Sequence, residues 1–217
     1  MVYLFWLILL CFILYNEISM TKSNMITKKQ RPGPVFKDQD FLSGDGFLTT
    51  VWGPPMWHYL HTMSFNYPVH PTAADKRNYR SFMLGLQHVL PCKYCRINLK
   101  NNFKNHPLRA CHLANRDAFS RYVYELHEIV NKLLGKTSGL SYCDVRERYE
   151  HFRARCTDDP DPRMLKLKRR NNTIKKKEKG CTEPLYGKYS KCVLKIVPQD
   201  AATETLSIDQ QCIKQRE

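Results

Sequence analysis

Two cysteines one helical turn apart frame the tetrapeptide Cys92-Lys93-Tyr94-Cys95, which follows Pro91 directly. Thiols at this spacing close a tight disulfide and open it again. The next residues, Arg96-Ile97-Asn98-Leu99, read as the continuation of a helix. A helix start adds free backbone N–H groups and the positive end of a dipole, and both favour thiolate. The pair therefore suits electron exchange between thiols. A passive structural disulfide and half of a zinc site use the same spacing.

Two further segments carry groups that need explaining with the dithiol. Trp52-Gly53-Pro54-Pro55-Met56-Trp57 is followed by His61, one turn after Trp57. His127-Glu128-Ile129-Val130-Asn131-Lys132 runs on to Gly135-Lys136. His127 and Asn131, four apart, share a helix face. An asparagine in mid-helix needs a partner when buried, which points to a ligand contact. Aromatic planes, imidazoles, an amide and a lysine around a dithiol suit a flat, polar-edged, phosphate-bearing cofactor. Cys111-His112 raises a zinc-stabilised interaction module as the alternative. No second C-x-x-C accompanies it, and a zinc ribbon does not need the Trp and His–Asn pieces, so no metal is expected. The βαβ pattern of a thioredoxin-like dithiol is missing.

The elements that position these groups read as helices. Pro54-Pro55 can begin one whose Trp57, Leu60, His61, Ser64 and Phe65 share a face, with Tyr67-Pro68 ending it. Thr72 or Asp75 caps a second, with Tyr79, Phe82, Met83, Leu86 and Leu90 as its buried stripe. A third carries Cys92, Cys95, Leu99 and Phe103 and stops near Asn105-His106-Pro107. A fourth runs from about Arg116 to Leu134, with Phe119, Tyr122, Val123, Leu126, Val130 and Leu133 inward and Gly135 as its stop. A short fifth follows Asp144, with Val145, Tyr149 and Phe152 one turn apart. No stretch of this region alternates like a strand, so the class is all-α, a compact helical bundle.

Around this body the 217-residue chain divides by composition. Residues 1–20 hold the apolar run Val2 to Tyr15, expected to be a single-pass membrane anchor in preference to a cleaved secretory signal or a buried core helix. Lysines and Arg31 follow it, which places the body on the cytosolic side by the positive-inside tendency. Residues 21–44 read as linker, 45–156 as the helical domain, 157–180 as a basic linker, and 181–217 as a cysteine-containing tail. Much of the net charge of +15 lies between Arg163 and Lys179. Such a run normally stays solvated, so nucleic acid is not the expected partner. Nine cysteines suit an oxidising location or a protein whose own chemistry makes disulfides. A bridge among Cys181, Cys192 and Cys212 would staple the small tail, within which Val193–Val197 reads as a strand.

Taken in order, Trp52, Gly53, Trp57, His61, Tyr67-Pro68, Cys92, Cys95, His127, Val130, Asn131, Gly135-Lys136, Cys143 and Tyr149 resemble the ERV/ALR family of FAD-linked sulfhydryl oxidases. The resemblance covers roughly residues 45 to 156, and the viral members encoded by large DNA viruses look most similar. It implies a four-helix bundle with a short fifth helix that binds FAD. Trp57 and Tyr149 would pack near the adenine or the ring system. His61, His127, Asn131 and Lys136 would contact polar parts of the cofactor, with Trp52, Gly53, Tyr124, Val130 and Lys132 completing the binding set. Cys95 would lie against the flavin, and Cys92 would exchange with thiols of protein substrates. Electrons would pass to O2, giving hydrogen peroxide. A homodimer, and association with a virion, follow from the same resemblance. Two positions depart from the pattern. Glu128 stands where the family usually has asparagine. Tyr124 stands where many members have a cysteine paired with the late cysteine, so Cys143 lacks that partner and is left to pair with Cys111 or Cys156, or to stay free.

Overall fold

The structure is a computed structural model that describes residues 35–157 and 180–216. The apolar run Val2 to Tyr15 and the basic run Arg163 to Lys179 lie outside the described residues. Among those described, no helix is long and apolar enough to cross a membrane. The chain divides into two compact units, Met1–Gly44 and Asp45–Glu217. In the first, Asp38–Phe41 (α1) form a single turn that the linker composition did not announce. The Lys37 N–H donates to Asp40 Oδ2 at 2.8 Å and starts it.

The second unit is mostly helical. Thr49–Phe65 (α2) begins five residues before the expected proline pair, so Pro54 and Pro55 lie inside it. Their ring nitrogens carry no hydrogen, so the Thr50 and Val51 carbonyls lose their helical donors. That loss falls near the helix start, close to where N–H groups are unpaired anyway. Ala73–Val89 (α3) is capped by Thr72, whose hydroxyl accepts from the Asp75 N–H while the Asp75 carboxylate accepts from the Thr72 N–H. This reciprocal pair explains the sharp start. Met83 and Leu86 are buried, with Tyr79 and Leu90 half-buried beside them. Phe82, expected in that stripe, is exposed. It lies about 100° round the helix from Met83 and meets Tyr59 edge-on at 6.1 Å instead.

Lys93–Asn105 (α4) buries Leu99, Asn102 and Phe103. A 3₁₀ turn, Ala110–Leu113, leads to Arg116–Leu133 (α5), capped by Asn115. Phe119, Tyr122, Val123 and Leu126 of α5 are buried almost completely. Leu133 was expected inward and is exposed, as is Leu134 after it. Gly135 then takes φ +65, which a side chain would disfavour, and ends the helix. Residues of α2 to α5 close one core from Leu60 to Leu126, sealed by fully buried Tyr67, whose hydroxyl donates to the Leu113 carbonyl at 3.0 Å.

Tyr142–Glu150 (α6) starts two residues before Asp144, not after it. Ser141 is the cap, and Asp144 is its reciprocal partner three residues on. A second apolar cluster of Phe65, Tyr142, Val145 and Tyr149 fixes α6 to the rest. No disulfide pins it there, since Cys143 and Cys111 are both free. Arg153 does part of that work. It donates to the Phe65 carbonyl at 2.6 Å while pairing with Glu150 at 2.9 Å, which joins the ends of α2 and α6.

Two short strands were not expected. Ala154–Thr157 (β1) pairs antiparallel with Gly180–Pro184 (β2). The expected strand at Val193–Val197 is irregular, exposed chain, because its apolar side chains have no sheet or core to lie on. Cys181 is disulfide-bonded, whereas Cys192 and Cys212 are free, so no bridge forms among those three. Besides the Cys181 bridge, backbone and side-chain contacts hold the tail: Leu185 N–H to the Arg153 carbonyl at 2.9 Å, Lys214 N–H to His151 Nδ1 at 3.1 Å, and Arg216 to Glu147 at 2.7 Å.

Candidate functional site

Pro91 stops α3 and α4 starts two residues later, so Cys92 becomes the α4 cap. Its sulfur accepts from the Cys95 N–H at 3.3 Å, the role a serine oxygen fills at ordinary helix starts. Both thiols are free and half-buried. They titrate apart. The hydrogen bond from the Cys95 side chain holds the Cys92 thiol below its usual range, with backbone N–H groups adding to the effect. Burial pushes the Cys95 thiol up, and so does its bond to Cys92. Thr49, in the first turn of α2, lies with its hydroxyl 3.6 Å from Cys95 Sγ. Just before it, the Phe47 N–H donates to the Pro91 carbonyl at 2.9 Å, and Trp52 Nε1 donates to the Phe47 carbonyl at 3.1 Å. Gly46 passes so close that a Cβ would stand 2.7 Å from the Pro91 oxygen. The chain entering α2 is thus laced to the dithiol.

The second half of the site lies between α2, α5 and α6. Trp57 stacks on His127 with ring centres 4.0 Å apart and planes 7° from parallel. His61 is buried, and its Nε2 shares a hydrogen with His127 Nδ1 at 2.9 Å. Tyr149 of α6 stacks against His61 at 5.2 Å and against Phe65 at 5.5 Å. The other nitrogen of His61, Nδ1, is buried and has no hydrogen-bond partner. An unpartnered buried donor or acceptor costs about 1–3 kcal/mol, which makes this atom a candidate ligand contact. Burial pushes the His61 pKa down to about 3, with the neighbouring His127 and His58 adding to it. Burial likewise brings His127 down to about 4, against the opposing pull of Glu128. Both rings are neutral at physiological pH.

This pair sets an acid limit to stability. Near neutral pH the imidazoles are uncharged in both states. Below 6.5 the unfolded chain takes protons that folded His127 and His61 refuse until about 4 and about 3. Stability is therefore full above 6.5 and falls as pH drops toward 4, by about 1.4 kcal/mol per pH unit for each histidine. Urea midpoints taken from about pH 8 down to about pH 5 should fall along this slope. A flat profile would mean that the rings reach water.

The remaining expected residues are placed less uniformly. Asn131 is half-buried, but its amide donates to Glu128 Oε1 at 2.9 Å, so Glu128 occupies the group expected to meet a ligand. Val130 is half-buried, while Lys132, in the last turn of α5, and Lys136, just past its end, are exposed. Tyr124 gives its hydroxyl to the Leu140 carbonyl at 2.8 Å and packs edge-on to Tyr142, so its polar end faces the α5–α6 connection. Gly53 is buried, yet an added Cβ would meet only Thr49 Cγ2, at 3.6 Å, so the chain itself does not require glycine there. Two members of the site were missed. His58 Nδ1 meets the Tyr149 hydroxyl at 3.3 Å, and its position three before His61 was the available signal. Thr49 was hidden because the helix was expected to start after it.

The model of the Erv1 / Alr family matches residues 54–155. Over 99 residues the chain is 33% identical to a probable FAD-linked sulfhydryl oxidase of Acanthamoeba polyphaga mimivirus, covering 46% of this chain and 68% of that one. It is 31% identical over 121 residues to the FAD-linked sulfhydryl oxidase ERV1 of Arabidopsis thaliana, covering 56% of this chain and about half, 54%, of the plant protein. The crystal structure of the yeast Erv1 core aligns with a TM-score of 0.44 at 21% identity, covering 58% of this chain and 95% of that one. The chain belongs to the Erv1 / Alr family.

Proposed function

We infer that the protein is an FAD-linked sulfhydryl oxidase that forms disulfides in protein thiols through Cys92 and Cys95. The observation that carries this reading is a free dithiol at a helix start, with its two thiols shifted in opposite directions and laced to the helix that bears Trp57 and His61. The helices α2 to α5 serve as a four-helix bundle, and α6 closes the cofactor side.

The residues present fit FAD. The unpartnered His61 Nδ1 is a buried atom in want of a polar edge. Trp57, His127 and Tyr149 present aromatic planes around it, Gly53 leaves room beside α2, and Lys132 and Lys136 offer cations for phosphate. When bound, FAD takes the electron pair of the dithiol and delivers it to O2 as hydrogen peroxide.

The chain's own part is thiol exchange. A substrate thiolate attacks Cys92 Sγ in the oxidised pair, and the Cys92–Cys95 bond breaks with Cys95 leaving as thiolate. The second substrate thiol then attacks the substrate sulfur of the mixed disulfide and expels Cys92. The substrate leaves oxidised by two electrons, which now reside in the Cys92/Cys95 dithiol. A Cys92 thiol held low is the better leaving group for that second step. Flavin-saturated protein given dithiothreitol should consume oxygen and yield one hydrogen peroxide per O2. Absence of uptake would exclude the oxidase.

A further inference from the structure

We propose that the substrates of this oxidase are acidic polypeptides, docked along α4 with an apolar residue beside their cysteine. The proposal rests on the oxidase reading above and names the class of thiol it serves. From Asp45 to Arg116 the sequence carries two carboxylates, Asp45 and Asp75, against nine lysines and arginines. Of the two, Asp75 is committed to Thr72 at the start of α3. The helix that opens on the dithiol has no acidic residue at all. Its outward stripe, opposite buried Leu99 and Asn102, is Lys93, Ile97, Lys100 and Lys104, all exposed. These recur at the four-three-four spacing of a single face. The stripe begins beside Cys92 and ends about 18 Å from it at 1.5 Å per residue.

The ground around Cys92 is apolar. Phe47, Leu48, Val89 and Tyr94 are each more than 70% exposed, and the Phe47–Pro91 bond places the first of them beside the dithiol. A polypeptide whose cysteine reaches Cys92 covers this rim with its nearest side chain. Continued in extended form at about 3.3 Å per residue, it sets positions roughly two to five residues away over Lys93, Lys100 and Lys104. Carboxylates there meet three cations with no competing carboxylate on the helix. A stripe of this kind could also take nucleic acid. It starts at the atom where a protein thiol must arrive, however, which favours the polypeptide.

The test uses the full chain and two synthetic dithiol peptides. Each has leucine beside the cysteine and differs only in carrying glutamates or lysines two to five residues away. At low salt the glutamate peptide should show kcat/KM at least about ten-fold above the lysine peptide, within the range that charge steering supplies. The difference should collapse at about 0.5 M salt, where the screening length is only a few ångströms. The double variant Lys100→Glu/Lys104→Glu should erase the preference and leave dithiothreitol oxidation unchanged. A charge-matched control in the tail, Lys191→Glu/Lys195→Glu, should keep it. Equal rates for the two peptides, or equal loss in the tail control, would overturn the proposal. So would a single-stranded oligonucleotide that binds the stripe without any peptide preference. Should the double variant fold poorly, the salt series on the unaltered protein decides alone. Loss of dithiothreitol oxidation itself would instead strike the oxidase reading.

Discussion

Cys95→Ser abolishes dithiol-driven oxygen uptake while the flavin stays bound. A serine cannot close the disulfide that accepts substrate electrons, and the free Cys111 and Cys143 lie on other elements, at the 3₁₀ turn and in α6. The fold should not notice. Cys95 is half-buried, its backbone N–H keeps the bond to Cys92 Sγ, and a serine hydroxyl can still face Thr49. Exposed or half-exposed exchanges of this size usually change stability by less than about 0.5 kcal/mol. Oxygen-electrode traces of the flavin-loaded variant make the comparison. Turnover at the normal rate would show that the electron path runs elsewhere.

The second large effect is expected at His61. The exchange His61→Leu should leave the flavin-free protein within about 1 kcal/mol of its stability, because two contributions oppose each other. The unpartnered buried Nδ1 is removed, which stabilises, while His127 Nδ1 loses its 2.9 Å partner. His127 is half-buried and keeps its stacking on Trp57, which limits that loss. Flavin retention responds differently. Losing a buried hydrogen bond of about 1.4 kcal/mol weakens binding about ten-fold, and the lost ring packing adds to it. Urea unfolding of the flavin-free variant, set beside flavin titration followed by fluorescence, separates the two effects. Unaltered flavin affinity would remove His61 from the cofactor site, and a large fall in stability would make it a core residue.

Local chemistry explains which features the sequence made legible. Thr72 with Asp75, and Gly135 after the last turn of α5, mark helix ends through bonds made within a few residues. The 3.6-residue period of Phe119, Tyr122, Val123 and Leu126 gave the buried face of α5. The motif order brought Trp57, His61, His127 and Tyr149 to one place, where the structure also has them. What stayed hidden depends on distant partners. Proline is expected in a first turn, so Pro54-Pro55 masked the true start at Thr49. Strand β1 has no pattern of its own and exists by pairing with β2, beyond a basic stretch. Phe82 and Leu133 fit a helical period yet stay exposed, Phe82 with only the edge of Tyr59 against it. The pairing state of the cysteines is three-dimensional, and spacing did not reveal that Cys143, Cys192 and Cys212 are free.

Glu128 shows how a departure from a family pattern can be absorbed locally. Its carboxylate accepts from the amide of Asn131 three residues on, so both side chains are occupied within α5. Similarly, Tyr124 stands in place of a cysteine and holds the α5–α6 connection through the Leu140 carbonyl. Arg153 bridges Phe65 and Glu150, so α6, whose Cys143 is free, is kept near His61 by hydrogen bonds and packing.

The most direct measurement is the visible absorption spectrum of the purified full chain, before and after anaerobic addition of dithiothreitol. A flavin band that bleaches on addition, and returns when air is admitted, is the expected result. A folded protein that is colourless and takes up no added FAD, or one whose flavin band ignores the dithiol, would contradict electron transfer from Cys92 and Cys95 to a bound flavin.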